Sequence, residues 1–303
     1  MTVVVVGSAN LDLVVSVARH PKPGETVIGG DLRSIPGGKG ANQATATARL
    51  GQATSFVGAV GDDDAGRRLR RSLGEAGVDT SRLGTVADTP TGTALITVAD
   101  DGDNVIVVSP GANRTVSPTV IDEAGDALDQ AAVVLLQLEV PLDAVTAAAR
   151  RAGGLVVLNP APAPDQPLPS ELLAHTDILV PNETELAALT GVDPDADPAV
   201  LAAAARTLGI DTVVVTRGAA GALIVTDDTT TVPAPVIDAI DTTAAGDAFC
   251  GALAQQLSAQ PEDLSAAVAW AVRVGAATAL RPGAAPSLPT AAQVDERLEA
   301  TAP

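Results

Sequence analysis

The stretch AVVLLQLEVPLDAVTAAARRAGGLVVL at residues 132–158 decides the fold. An apolar run at 132–138 suits a strand buried on both faces of a parallel sheet. The alanine-rich segment 142–151 then reads as a helix, and 154–158 as a second strand. Outward from this unit the rhythm repeats. Residues 3–7 form a continuous β-branched run, and 53–60 read as strand followed by a helix at 65–76 that stops at Gly77. The sequence GGKGAN at 37–42 leads into an Ala/Thr-rich helix ending at Gly51, a natural C-terminal stop. Further on, 178–180 is strand, 183–189 helix after the cap Asn182, 200–208 helix, and 212–216 and 222–226 strands. The last part is helical at 245–257, 261–279 and 290–298. Strands alternating with helices predict an α/β fold, a doubly wound and mainly parallel sheet flanked by helices.

Segments at about 13–36 and 93–109 break that alternation. Residues 93–99 and 104–109 flank the turn DDGD and read as a hairpin. These pieces are expected to form a small β-sheet projecting as a lid. The Pro-rich stretches 160–169 and 193–198 are too short to be linkers, so 1–303 is expected to be one domain.

Composition narrows the partners. Apolar residues make up 46% of the 303 residues, enough for a sizeable core, but aromatics are limited to two Phe and one Trp. Base stacking on aromatic side chains is therefore not expected, and a net charge of −19 repels phosphate backbones and anionic lipid. No nucleic acid and no membrane partner is expected. The only lysines are Lys22 and Lys39, and Lys39 falls in the Gly-rich segment. The single cysteine, Cys250, excludes an internal disulfide and points to a reducing compartment. The opening MTVVVVGSANLD has no basic region or cleavage site, and no run of 18 apolar residues occurs, so a cytoplasmic protein is expected.

The strongest local signal is Asp241-Thr-Thr-Ala-Ala-Gly-Asp247, running into the apolar helix AFCGALAQQL. Small residues expose successive backbone N–H groups, and a helix N-terminus adds positive dipole, so the segment suits an anion. Asp247 in the first turn is placed to take a proton from a hydroxyl attacking a phosphoryl group. The same residues also read as a helix start with an acidic first turn. Gly37-Gly38-Lys39-Gly40-Ala41-Asn42 allows close approach of a ligand, but it matches neither a Walker A loop nor a dinucleotide fingerprint. Asn10 and Asp12 follow the first strand, where ligands of open parallel sheets bind. Asn182-Glu183-Thr184-Glu185 suits either a capped helix start or a carboxylate holding magnesium through water. Thr216-Arg217-Gly218-Ala219-Ala220-Gly221 resembles a strand-to-strand turn whose glycines admit a nucleotide.

Taken in order, these segments resemble the ribokinase-like (phosphofructokinase-B) family of carbohydrate kinases. GSANLD at 7–12, GGKGANQA at 37–44, TGTALITV at 91–98, NVIVVSPGAN at 104–113, LLQLEVP at 135–141, LNPAPA at 158–163, PNETE at 181–185, DTTAAGDAFCGAL at 241–253 and RPGAAPS at 281–287 carry the likeness over nearly the whole chain. The resemblance implies MgATP as phosphoryl donor, potassium as activating cation, and a homodimer through the lid. It implies that Asn10, Asp12, Gly38, Lys39, Gly40, Ala41, Asn42 and Glu139 hold the sugar. It puts Asn182, Glu185, Thr216, Arg217, Gly218, Ala219, Ala220 and Gly221 near the nucleotide and magnesium. Ala244, Ala245 and Gly246 would form the anion hole, and Asp247 would be the base. Asp241, Thr243, Thr278, Arg281, Gly283 and Ser287 would surround the potassium.

Two positions depart from the pattern. Ala244 stands where many family members have Gly, although its backbone N–H is kept. Residues 282–285 (Pro, Gly, Ala, Ala) offer only carbonyls as cation ligands. Within the family, GGKGAN, the QLE segment and PGAN together favour D-ribose, phosphorylated to ribose 5-phosphate. Deoxyribose, fructose or a nucleoside is the alternative substrate. A non-catalytic sugar or nucleotide sensor would require a degenerate base or anion hole. An NAD-dependent enzyme would need its Gly fingerprint where GSANLD stands.

Overall fold

The computed structural model describes residues 2–300. Its larger sheet runs, in spatial order, Thr229–Val232, Ala222–Val225, Thr212–Thr216, Ile178–Leu179, Leu155–Leu158, Val133–Leu136, Val3–Val6, Thr54–Gly61 and Val78–Asp79, with Leu83–Val86 pairing on Thr54–Gly61. Pairing is parallel except for Ala222–Val225 against both its neighbours. Alternation along each strand divides the core into two layers. Val3, Val5, Val133, Leu135 and Val157 pack into one buried cluster with the helices Lys39–Arg49, Ala245–Ala259 and Leu264–Ala279. Val4, Val6, Val134, Leu136 and Leu158 pack into the other, with Leu142–Arg151 and Pro198–Arg206. The strands are thus apolar on both faces, as a helix-covered parallel sheet requires. Each buried Val or Leu contributes about 1.5–3 kcal/mol. No helix among the described residues is long and apolar enough to cross a membrane.

A separate four-stranded sheet has the order Arg33–Gly37, Asn10–Val17, Gly92–Ala99, Asn104–Ser109. The last two strands form the expected antiparallel hairpin around residues 100–103. Here the structure differs from the sequence reading in one informative way. The segment expected to join the small sheet from about residue 13 begins its strand at Asn10, so Asn10 and Asp12 belong to the small sheet and are not a loop after the first strand. Asn and Asp are poor strand formers, and pairing with Gly37 and Ile35 on one side and Gly92 and Ala94 on the other overrides that preference. The strand Asn104–Ser109 is exposed along its length, with Ile106 52% and Val107 59% accessible.

Candidate active site

Because the central strands are parallel, the residues that follow them collect at one edge of the sheet: Ser8, Gln137 to Glu139, Asn159, Asn182 and Arg217. The Gly-rich segment reaches this edge because Gly38 and Gly40 carry no side chains. Gly38 has φ 91°, and a Cβ on it would lie 2.6 Å from the Asn10 nitrogen. A Cβ on Gly40 would lie 2.7 Å from the Ser8 nitrogen. The helix Lys39–Arg49 therefore starts directly against the end of the first strand. Glu139 closes the junction: Oε2 accepts from Ser8 Oγ at 2.5 Å and from the Lys39 N–H at 3.1 Å. Asn113, fully buried, donates to Asn10 Oδ1 at 2.7 Å and accepts from the Ala9 N–H at 3.0 Å, which ties the end of the hairpin to the same edge.

Asp247 lies opposite, in the first turn of Ala245–Ala259, and is buried. Its two oxygens accept from Asn42 Nδ2 at 2.9 Å and from Gln43 Nε2 at 3.2 Å. The residue before the helix, Ala244, has φ 61° and ψ 7°, a left-handed conformation that costs an L-residue about 1–2 kcal/mol. This explains why glycine suits the position, and the turn it makes leaves backbone donors open. Among the described residues the N–H groups of Ala244 and Gly246 have no hydrogen-bond partner, whereas that of Ala245 donates to the Thr242 carbonyl at 3.1 Å.

Charge is concentrated here. Burial pushes the Asp247 carboxyl up to about 6, with Lys39 and the two amides pulling the other way and Glu139 adding repulsion. Burial, Glu139 and Asp247 push Asp12 up to about 7. Burial also works against the Lys39 ammonium, but Asp247, Glu139 and Glu185 outweigh it and leave its pKa above the usual value. Burial raises Glu185. Three carboxylates thus face one cation, an arrangement ready to accept hydroxyl protons and poor at holding free anions.

Two cavities adjoin at Gly246, the residue before Asp247. The polar one, about 230 Å³, is lined by Lys39, Asn159, Asn182, Glu185, Ala244 and Asp247 among others. The apolar one, about 480 Å³, runs from Thr216, Gly218, Ala219 and Gly221 to Phe249 and the Val272, Gly275, Ala276 and Ala279 face of a helix. They share Asn182, Thr216, Thr242 and Gly246. Asn182 caps its helix through a reciprocal box with Glu185, at 2.9 and 2.7 Å.

Most residues singled out in the sequence therefore converge. Several take more specific places than expected. Arg217 donates to Glu183 at 3.0 Å and is pinned at the cavity margin, while Ala220 lies outside the lining and Ala41 packs into the core. Asp241 bridges two segments, accepting from the N–H of Thr243 at 2.9 Å and of Gly283 at 2.8 Å. Burial opposes ionisation of Asp241, but these hydrogen bonds prevail and hold its pKa below the usual value. The hydroxyls of Thr278 and Ser287 are buried and bonded to the carbonyls of Val274 and Ala284, and Arg281 is exposed. Sequence reasoning missed Ser8, Gln43, Asn113, Gln137 and Asn159. The signal for Gln137 was a lone polar residue inside an otherwise apolar strand run.

A family model described as pfkB family carbohydrate kinase matches residues 1–291. A ribokinase of Haemophilus influenzae is 40% identical over 304 residues, covering 98% of both chains. A deoxyribokinase of Salmonella typhimurium is 38% identical, covering 98% of this chain and 99% of that one. The solved structure of Arabidopsis thaliana ribokinase complexed with ribose and ATP superposes with a TM-score of 0.90 at 34% identity, over 98% of each chain. A match of that extent, on a site of this geometry, means that the chain belongs to the pfkB family of carbohydrate kinases.

Proposed function

We propose that the chain transfers the γ-phosphoryl group of ATP to the 5-hydroxyl of D-ribose, with Asp247 as general base. One observation carries the reading: a buried carboxylate, held by two amides, stands where a polar cavity meets open N–H groups at a helix start. The hydroxyl proton passes to Asp247, the sugar oxygen attacks the γ-phosphorus, and the bond to the β-phosphate oxygen breaks, releasing ADP. The N–H groups of Ala244 and Gly246 face the charge that develops. Asn10, Asp12, Lys39, Asn42 and Glu139 supply alternating donors and acceptors, the surface a small polyol needs. Relatives named ribokinase, and the neighbour solved with ribose and ATP, support ribose over the deoxyribose implied by the name of the Salmonella typhimurium relative.

The apolar cavity fits the base of the nucleotide, with Thr216, Gly218 and Gly221 along the ribose and phosphates. Glu185 spends Oε2 on the Asn182 N–H, which leaves Oε1 toward the polar cavity to hold magnesium through water. Bound magnesium neutralises charge on the transferring phosphates. The segments joined by Asp241 suit potassium in part. The Thr278 carbonyl already accepts from the Arg281 N–H and the Ser287 carbonyl from Arg297, so Asp241 and the carbonyls of Thr243, Arg281 and Gly283 are the better ligands. The four-stranded sheet acts as a lid over the sugar. Its exposed edge Asn104–Ser109 pairs with a second copy, since a bare apolar edge is an aggregation hazard when left uncovered. The whole chain works as one kinase unit in the cytoplasm.

An ADP-release assay over pentoses, hexoses and nucleosides tests the substrate. Ribose is expected to have the highest kcat/KM. A tenfold preference for fructose or a nucleoside, about 1.4 kcal/mol in transition-state binding, would contradict it.

A further inference from the structure

A chain of buried amides runs through the core to the proposed base. Gln137, in the apolar run after the strand Val133–Leu136, donates from Nε2 to Gln43 Oε1 at 2.5 Å. Gln43 then donates from Nε2 to Asp247 Oδ1 at 3.2 Å and to Asn159 Oδ1 at 3.1 Å. Asn159 is itself fixed by donating to the Val180 carbonyl at 2.9 Å. Gln43 and Gln137 are both 0% exposed. The far end of the chain is unsatisfied: Gln137 Oε1 is buried and has no partner. An apolar side chain at 137 would avoid that cost, so packing alone does not account for the amide.

The helices carrying Gln43 and Asp247 are drawn close together. A Cβ on Gly251 would lie 2.7 Å from Ala46 Cβ and 2.8 Å from the Gln43 carbonyl, and Thr47 Oγ1 donates to the Gly251 carbonyl at 3.2 Å. That contact brings Gln43 within reach of Asp247, four residues before Gly251.

We infer that Gln43, held by Gln137, is a positioning residue that fixes the Asp247 carboxylate and keeps it ionised for proton acceptance. The inference rests on the reading of Asp247 as base. With Oδ1 tied to Gln43 and Oδ2 to Asn42, the carboxylate plane is set from the side of the core. Its remaining lone pairs are left for the substrate. Hydrogen bonds to the charged form offset what burial does to it. Four other groups act on the same carboxylate or are acted on by it: Lys39 on the helix of Gln43, Glu139 after the Val133–Leu136 strand, Asp12 on the small sheet, and Cys250 on its own helix. None of them is altered by changing Gln43 or Gln137.

The test is the pH dependence of kcat/KM for ribose in Q43M and Q137M, with D247N as reference and melting curves for all. Met conserves length and apolar volume and removes the amide. In Q43M the acid limb should move up by about one pH unit, a tenfold gain in proton affinity, with activity recovering at high pH and ribose KM within about twofold. Q137M should move the limb in the same direction by less. A part that merely fills space would lower the melting temperature and leave the limb in place. Acid limbs of both variants superposing on that of the parent chain overturns the inference. If Q43M fails to fold, the limb of Q137M decides alone in the same way. An active D247N would instead remove the base assignment itself, which separates the two failures.

Discussion

Asp12 is the residue at which function should be most visibly at odds with stability. It is only 9% exposed, accepts no hydrogen bond from any described residue, and faces Glu139 and Asp247. Its pKa rises from 3.8 to about 7. A folded pKa above the unfolded one means the native state holds its proton more tightly. The group's contribution to folding is therefore fully present below about pH 4 and is lost as pH climbs through 7. Replacing Asp12 by Asn makes the neutral form permanent. The shift is about three units at about 1.4 kcal/mol each, so D12N should gain up to about 4 kcal/mol at pH 8 and almost nothing near pH 3. In a chain of this size that raises the melting temperature by about 8 °C. Ribose affinity should fall in the same variant, because a hydroxyl acceptor is lost. Thermal melts of both chains from pH 4 to 8, with ribose titrations at pH 8, give the answer. A variant no more stable than the parent at pH 8, or equally stabilised at both ends, would refute the reasoning.

Two further outcomes follow from the same geometry. Placing a charge on the exposed lid edge with V107K should turn a dimer into a monomer in sedimentation velocity without unfolding it; a parent chain that sediments as a monomer rules the lid dimer out. Activity should be higher in potassium than in a bulky organic cation at matched ionic strength, and D241A should abolish the difference. Equal rates in the two salts would remove the cation site.

The sheet was legible because its strands are buried on both faces: runs such as Val3–Val6 and Val133–Leu136 leave no period for a helix to imitate. The helix Leu142–Arg151 and the strand Thr212–Thr216 fall where the pattern put them. Several short elements that lack a continuous apolar run did not show: Val78–Asp79, Leu83–Val86, Pro118–Glu123, Gly125–Asp129, Ser170–Ala174 and Thr229–Val232. Segments this short carry less than two turns or two alternations, and only tertiary contacts define them. In the site, Asp247, Lys39 and Asn42 were marked by glycine and small-residue context. Gln43 and Gln137 were not, because an amide beside Asn42 in an Ala/Thr helix, or alone in an apolar run, looks like a tolerated polar residue until the two, 94 positions apart, are seen together. Ala244 shows the reverse case. Its type departs from the family pattern, and its left-handed backbone shows what the pattern is for.

The central claim is that Asp247 accepts the proton of the attacking hydroxyl, and the kcat of D247N measures it most directly. Asn keeps the size of the side chain and can still receive from Gln43, but it cannot take a proton. General-base help is worth about 10² to 10⁴ in rate, so kcat should drop at least about a hundredfold while ribose affinity changes little. The melting temperature at pH 8 should not fall, since burial disfavours the native carboxylate. A folded D247N variant turning over near the parent rate would contradict the account.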